Sequence, residues 1–321
     1  MSALIDRYDA LIVDADGVIY RGSEPVVHAV EALSDARQQV PWCVVTNNAA
    51  LAPRAVAERI ARLGLPMDAD QVVTSPQGAM AFLRERGVEA GAAVLVVGGE
   101  GIDEAVATAG FRPVRDRSED PVAVVQGFGP HVGWRDLAEA GYAIQGGALW
   151  VASNADRGIP TEYGVAPGNG ALVGALELTL RRSPDAVTGK PEPLLFHIAA
   201  SRMGATRPLV LGDRIDTDIC GANRAGMDSL LVLTGVAGAR ELASLLDADP
   251  HDRPTHLAQD LRALAAPEDA SRIDPEVTGT DALSQIRRIL GQAWAGAHGH
   301  AESQSALDRA IAAWRLEQTD A

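Results

Sequence analysis

The run Leu11-Ile12-Val13 ends on Asp14-Ala15-Asp16-Gly17-Val18, two carboxylates one residue apart behind three apolar residues. A short, wholly apolar run is what a strand buried on both faces requires, and such strands belong to parallel sheets covered by helices. Carboxylates are costly to desolvate unless they are paired, bound to a metal or used in chemistry. The chain must therefore seat two acids at the end of a buried strand, where packing supplies no reason for them.

The pattern recurs. Trp42-Cys43-Val44-Val45 runs into Thr46-Asn47-Asn48, and Leu209-Val210-Leu211 runs into Gly212-Asp213-Arg214-Ile215-Asp216-Thr217-Asp218. Gln71–Thr74 and Leu230–Leu233 read as further strands. Val27 to Gln39 has a helical pattern, and Pro53 opens a helix with Val56, Ile60 and Leu63 on one face. This alternation predicts an α/β core, open and Rossmann-like, with a parallel sheet. In such sheets ligands sit beyond the carboxyl ends of the strands, where Asp14, Thr46 and Asp213 all fall. A second α/β stretch, with strands at Ala93–Val97 and Val122–Val125, interrupts the core. It predicts an inserted cap domain over residues 77–182, leaving a discontinuous core of 1–76 and 183–264. Pro267, Pro275 and Gly279 then mark a linker within a helical C-terminal extension over 265–321. Two amphipathic helices follow, one carrying Leu283, Ile286, Leu290 and Trp294, the other Leu307, Ile311 and Trp314. A packing or self-association role is expected of this tail, and only the second of these would make a homo-oligomer.

Among 321 residues, 28 basic against 43 acidic side chains give a net charge of −15. That balance argues against nucleic-acid and anionic-membrane partners, which call for basic surfaces. No uncharged apolar run reaches the roughly 18 residues of a membrane span. The first residues lack a signal-peptide pattern, and Cys43 and Cys220 offer no disulfide framework, so a cytoplasmic protein with inert core thiols is expected. Every cation but one is arginine. The exception, Lys190, stands in Thr188-Gly189-Lys190-Pro191, and phosphoryl sites use such a compact charge beside a carboxylate nucleophile. The acids of the 213–218 turn repel one another unless a cation neutralises them, and their hard oxygens suit Mg²⁺. Gly98-Gly99-Glu100-Gly101 and Gly168-x-Gly170-x-x-x-Gly174 lack the spacing of a dinucleotide fingerprint with its acid about 20 residues further on, and read as tight turns. None of the histidines shows a ligand spacing; the pair His298-x-His300 reads as tail surface.

The order and content of these segments resemble the haloacid dehalogenase superfamily of aspartyl-phosphate phosphatases. Within it the chain looks like the branch of sugar-phosphate and para-nitrophenyl phosphatases that carries a large α/β cap. The resemblance covers roughly residues 5 to 262 and includes Asp16-Gly17-Val18-Ile19-Tyr20-Arg21-Gly22 and Gly168-Asn169-Gly170-Ala171. Val151-Ala152-Ser153-Asn154-Ala155-Asp156, followed by Pro160, is similar to the family's cap loop facing the substrate. Ala15 departs from the larger apolar residue usual there, and the tail beyond Leu264 is absent from the typical enzyme.

The resemblance implies that Asp14 attacks phosphorus and forms an aspartyl-phosphate, splitting one displacement into two. Asp16 would protonate the leaving oxygen and then take a proton from the hydrolytic water. Asp14 and Asp213 would bind Mg²⁺ by side chain and Asp16 by its backbone carbonyl, with Asp218 and Asp216 behind them. Thr46, Asn47 and Lys190 would hold the phosphoryl oxygens, beside Asn48. Asn154, Asp156 and Arg157 are expected to contact the substrate from the cap. The implied partner is a small phosphorylated metabolite, glycerol 3-phosphate first. Pyridoxal phosphate, phosphoglycolate and nucleotide monophosphates are alternatives. A phosphomutase, or a phosphometabolite-binding regulator without turnover, are the rival readings.

Overall fold

The computed structural model describes residues 2–161, 163–297 and 299–319; His298, expected on the tail surface, lies outside them. In chain order, β1 (Ala10–Val13) leads to the short β2 (Tyr20–Arg21) and β3 (Glu24–Pro25), then α1 (Ala29–Ala36), β4 (Trp42–Thr46) and α2 (Pro53–Arg62). Next come β5 (Val72–Thr74), α3 (Ser75–Glu85), β6 (Ala93–Val97), α4 (Glu100–Thr108), β7 (Arg112–Val114) and β8 (Ala123–Gln126). They are followed by α5 (Trp134–Gln145), β9 (Leu149–Ala152), β10 (Gly158–Thr161), β11 (Gly164–Pro167), α6 (Asn169–Leu180) and β12 (Ala186–Val187). The chain closes with α7 (Leu194–Met203), β13 (Pro208–Gly212), α8 (Cys220–Arg224), β14 (Asp228–Val232), α9 (Ala239–Ser244), β15 (His256–Ala258), α10 (Ala282–Trp294) and α11 (His300–Thr319). No described helix is long and apolar enough to cross a membrane.

Two compact units result, one of Met1–Val44, Ile60–Pro66 and Ala199–Ala321, the other of Val45–Arg59 and Met67–Ile198. In the first, parallel strands lie in the order β15-β14-β13-β1-β4. Val13 sits opposite Leu211 on one side and Val44 on the other, and Leu211 opposite Leu230. Strand β1 is buried along its whole length, as its unbroken apolar run requires of a central parallel strand. The tail belongs to this unit's core. Leu283, Ile286 and Leu290 of α10 and Leu307, Ile311 and Trp314 of α11 share one apolar cluster with Leu231, Leu242, Leu245 and Leu257. Each fully buried side chain of this size contributes about 1.5–3 kcal/mol. Asp281 caps α10 by accepting from the Ser284 amide at 2.9 Å, and the Trp314 indole N–H donates to Gln259 Oε1 at 2.9 Å. The expected packing role of the tail is met.

The second unit holds a five-stranded parallel sheet, β12-β9-β8-β6-β7, and the antiparallel hairpin β10–β11. Alternation along β6 builds two cores from one strand. Val94 and Val96 face Met80 and Leu83 of α3 and Ile102 and Val106 of α4. Leu95 and Val97 face Ala140 and Ile144 of α5 and Val173 and Leu176 of α6. Sequence periodicity missed β2, β3, β7, β9–β12 and β15, each of two to four residues. Leu63, expected on the face of α2, lies just past its end. Cys43 and Cys220 are both buried.

Candidate active site

The first polar centre forms where β1 and β13 end. The Asp14 amide still donates to Leu211 O at 2.9 Å, as if the strand continued, while the side chain leaves the sheet. The chain then folds back: Ile19 N–H bonds Ala15 O at 2.9 Å, Gly17 N–H bonds Tyr20 O at 2.8 Å, and Gly17 takes φ +83°. Ala15 is fully buried and Asp16 exposed. After β13, one π-helical turn over Ile215–Ile219 turns Asp218 inward and leaves Asp216 exposed; such turns are frequent at functional sites. Asp218 Oδ2 accepts from the Arg214 amide at 3.1 Å, whereas Asp216 pairs with the Arg214 guanidinium at 2.8 Å.

Carboxylate oxygens of Asp14, Asp213 and Asp218 lie within 4.8 Å of one another, with Asp213 and Asp218 buried and Asp14 half-buried. Glycines create the room. A Cβ on Gly17 would stand 2.2 Å from Asp213 Oδ2, and one on Gly235 1.7 Å from the same atom. The loop after β14 grips that carboxylate, Val236 N–H donating to Asp213 Oδ2 at 2.6 Å and Ala237 N–H to Asp213 O at 2.9 Å. Thr234 Oγ1 donates to Gly17 O at 2.7 Å and Arg21 to Gly235 O at 2.9 Å, tying the two glycine turns in place. Three acidic oxygen donors packed this closely, in a cradle that admits no side chain, fit a hard divalent cation such as Mg²⁺ or Ca²⁺.

The second polar centre lies wholly in the other unit and is built of amides. Thr46 ends β4 with its hydroxyl accepting from the Asn48 amide at 3.1 Å, which leaves the hydroxyl hydrogen to be donated. The Asn47 carboxamide meets the Lys190 backbone at both ends: Lys190 N–H donates to Asn47 Oδ1 at 2.7 Å, and Asn47 Nδ2 donates to Lys190 O at 3.0 Å. Asn47 Nδ2 also donates to Asp156 Oδ2 at 3.1 Å. Asn47 O accepts from Ser75 Oγ and from Asn154 Nδ2, each at 2.9 Å. Asn169, first residue of α6, donates to Asn154 O at 2.7 Å. Lys190 is buried, 5% exposed, and a cis peptide joins it to Pro191.

The residues expected from sequence thus gather as Asp14, Asp213 and Asp218 in one unit and as Thr46, Asn47, Asn154, Asp156 and Lys190 in the other. Asp216 stands outside the carboxylate group. Asn48 turns its carboxamide oxygen to the amides of Ala50 and Leu51, at 2.9 and 3.2 Å, ahead of α2, and Arg157 is exposed. Sequence reasoning missed Gly235 and Val236, although they follow a buried strand as Asp14 does. It missed Ser75 as well, for which no local signal existed.

Two family models match the chain, a haloacid dehalogenase-like hydrolase over residues 11–112 and a HAD-hydrolase-like segment over residues 187–264. The D-glycerol 3-phosphate phosphatase of Mycobacterium tuberculosis is 44% identical over 264 residues, which span 82% of this chain and 73% of the relative. A crystal structure of glycerol phosphate phosphatase from the same organism, in complex with magnesium, superposes with a TM-score of 0.87 at 38% identity. It covers 96% of this chain and 98% of the other, so the helical tail has a counterpart there. The p-nitrophenyl phosphatase of Archaeoglobus fulgidus gives a TM-score of 0.73 at 28% identity, covering 80% of this chain and 98% of its own. The chain belongs to the haloacid dehalogenase-like hydrolases, among their phosphoric monoester hydrolases.

Proposed function

We infer that the chain is a Mg²⁺-dependent phosphatase of a small metabolite, glycerol 3-phosphate, working through an aspartyl-phosphate on Asp14. The observation that carries the chemistry is the convergence of Asp14, Asp213 and Asp218 within 4.8 Å at two adjacent strand ends. Asp14 attacks phosphorus as the bond to the alcohol oxygen breaks, and Asp16 gives that oxygen a proton. Asp16 then takes a proton from the water that attacks the aspartyl-phosphate, and inorganic phosphate leaves with Asp14 restored. The exposure of Asp16 suits a group that must exchange protons twice per turnover. Asp14, Asp213 and the Asp16 carbonyl, with Asp218 beside them, would hold Mg²⁺, which would supply neutralisation of the charge that gathers on the phosphoryl group. Thr46 and Lys190 attend the phosphoryl oxygens, with the Asn47 carboxamide bonded to the Lys190 backbone behind them, so that positioning and electrostatics carry the rate. In this reading 1–76 with 183–264 form the catalytic part and 77–182 the cap, where Arg157 is a candidate contact for the leaving group.

Support for the substrate comes from the identity with the M. tuberculosis D-glycerol 3-phosphate phosphatase. The test is Mg²⁺-dependent phosphate release from glycerol 3-phosphate, pyridoxal phosphate, phosphoglycolate and a nucleoside monophosphate. The reading requires release with the highest kcat/KM for glycerol 3-phosphate. A clearly better ester reassigns the substrate. Transfer without release makes the protein a mutase, and binding without turnover makes it a regulator.

A further inference from the structure

We propose that Asn47, Asn154 and Asp156 are positioning residues that set the backbone of Lys190, and that they do not read the leaving group; the proposal rests on the phosphatase reading of Lys190. A carboxamide has two donor hydrogens and one acceptor oxygen. In Asn47 both hydrogens are committed, to Lys190 O at 3.0 Å and Asp156 Oδ2 at 3.1 Å, and the oxygen takes Lys190 N–H at 2.7 Å. The side chain therefore stands where a neighbouring strand would, pairing with both the N–H and the C=O of the lysine. Its orientation is fixed by chemistry, since an amide N–H needs an acceptor and a carbonyl needs a donor.

The same loop is held from behind. Asn154 donates to Asn47 O at 2.9 Å and accepts from the Asp156 amide at 3.3 Å. Asn169 bonds Asn154 O at 2.7 Å and Gln126 O at 3.3 Å, which anchors the loop to the end of β8. Gly189 lets the lysine turn come close: a Cβ there would stand 2.5 Å from Ser153 O and 2.6 Å from Asn47 Oδ1. Asn154 and Asn169 are 3% and 1% exposed, and hydrogen bonds in such a buried, low-dielectric network rigidify what they hold. Because Lys190 serves the phosphoryl group that all substrates share, damage to this network lowers the rate by one factor for every ester. A contact with the leaving group would discriminate between esters.

The experiment compares wild type, Asp156→Ala and Asp156→Asn on glycerol 3-phosphate and p-nitrophenyl phosphate with Mg²⁺, together with calorimetric binding of inorganic phosphate. In Asp156→Ala, kcat falls about 10–100-fold on both esters, in the range of other supporting-shell losses, and phosphate binds more weakly. Asp156→Asn restores most of both, since its amide oxygen can still accept from Asn47. A loss confined to glycerol 3-phosphate overturns the proposal and makes Asp156 a substrate contact. Unchanged kcat and phosphate affinity in a folded Asp156→Ala overturn it too. Should Asp156→Ala not fold, Asp156→Ser carries the same comparison of esters. If wild type hydrolyses neither ester, the phosphatase reading fails instead, and the phosphate affinities still decide whether Asp156 acts on Lys190.

Discussion

The two polar centres of this molecule solve opposite problems. The Asp14–Asp213–Asp218 group concentrates like charges within 4.8 Å, behind glycines that keep other side chains away. The Asn47–Asn154–Asn169 group concentrates neutral amides whose donors are matched to backbone carbonyls. The first holds unfavourable electrostatics in readiness for a cation; the second is uncharged, each of its amides donates to a carbonyl, and it lends rigidity. Charge crowding therefore marks where chemistry is done, and amide matching marks where geometry is kept. Variants in the two centres should separate activity from stability.

The largest separation is expected from Asp213→Asn. Phosphate release falls by about 10²–10³-fold, as for loss of one preorganised electrostatic group, and Mg²⁺ no longer raises the melting temperature. Without Mg²⁺ the variant melts no lower than wild type, because one of three crowded charges is gone. A metal-free variant that melts well below wild type would show that the cluster is structural. Gly235→Ala comes next. Its Cβ would fall 1.7 Å from Asp213 Oδ2, so the carboxylate must move, and Mg²⁺ affinity read by calorimetry drops about 10–100-fold. An unchanged affinity would mean that Asp213 is not a ligand.

The amide centre responds in the other direction. Asn169→Ala removes the donor to two buried carbonyls, Asn154 O and Gln126 O, and costs about 1–3 kcal/mol of stability by denaturant titration. Mg²⁺ affinity stays at the wild-type value. If the affinity falls with stability, the two centres are not separable.

A third buried group sharpens the contrast, because it is polar, satisfied and titratable. His256 is fully buried, with Nε2 3.0 Å from Tyr8 Oη and Nδ1 3.1 Å from Ser271 Oγ. Burial, with Arg272 adding to it, lowers its pKa from 6.5 to about 4. The unfolded chain thus binds a proton that the folded one refuses between those values. Stability from this group is whole above pH 6.5 and is lost as pH falls toward 4, about 3 kcal/mol in total. Denaturant midpoints of wild type fall across that window, and those of His256→Gln fall less. Equal slopes would show that His256 carries none of the acid sensitivity.

How much of this was legible in the sequence follows from the same distinction. Asp14, Thr46 and Asp213 are local signals, short polar segments behind apolar runs, and strand ends do place them; Lys190 was legible as the one lysine of the chain. The tail was legible because its apolar spacing matches the helix repeat, and those residues are the ones packed into the core. The work of Asn47 was not legible: its partner Lys190 lies 143 positions away, and nothing in Thr46-Asn47-Asn48 says whether an amide faces a ligand or a backbone. Strand β7 was hidden by Arg112 and Pro113, residues that demote a strand pattern. Strand β15, only His256–Ala258, shows too few residues for a period.

The most direct test of the account is Mg²⁺-dependent phosphate release from glycerol 3-phosphate by wild type beside Asp14→Asn. The account requires release by wild type and none above background by a folded Asp14→Asn, since the amide cannot attack phosphorus. Comparable release by both proteins would contradict the assignment of Asp14 as nucleophile and, with it, the mechanism built on this strand end.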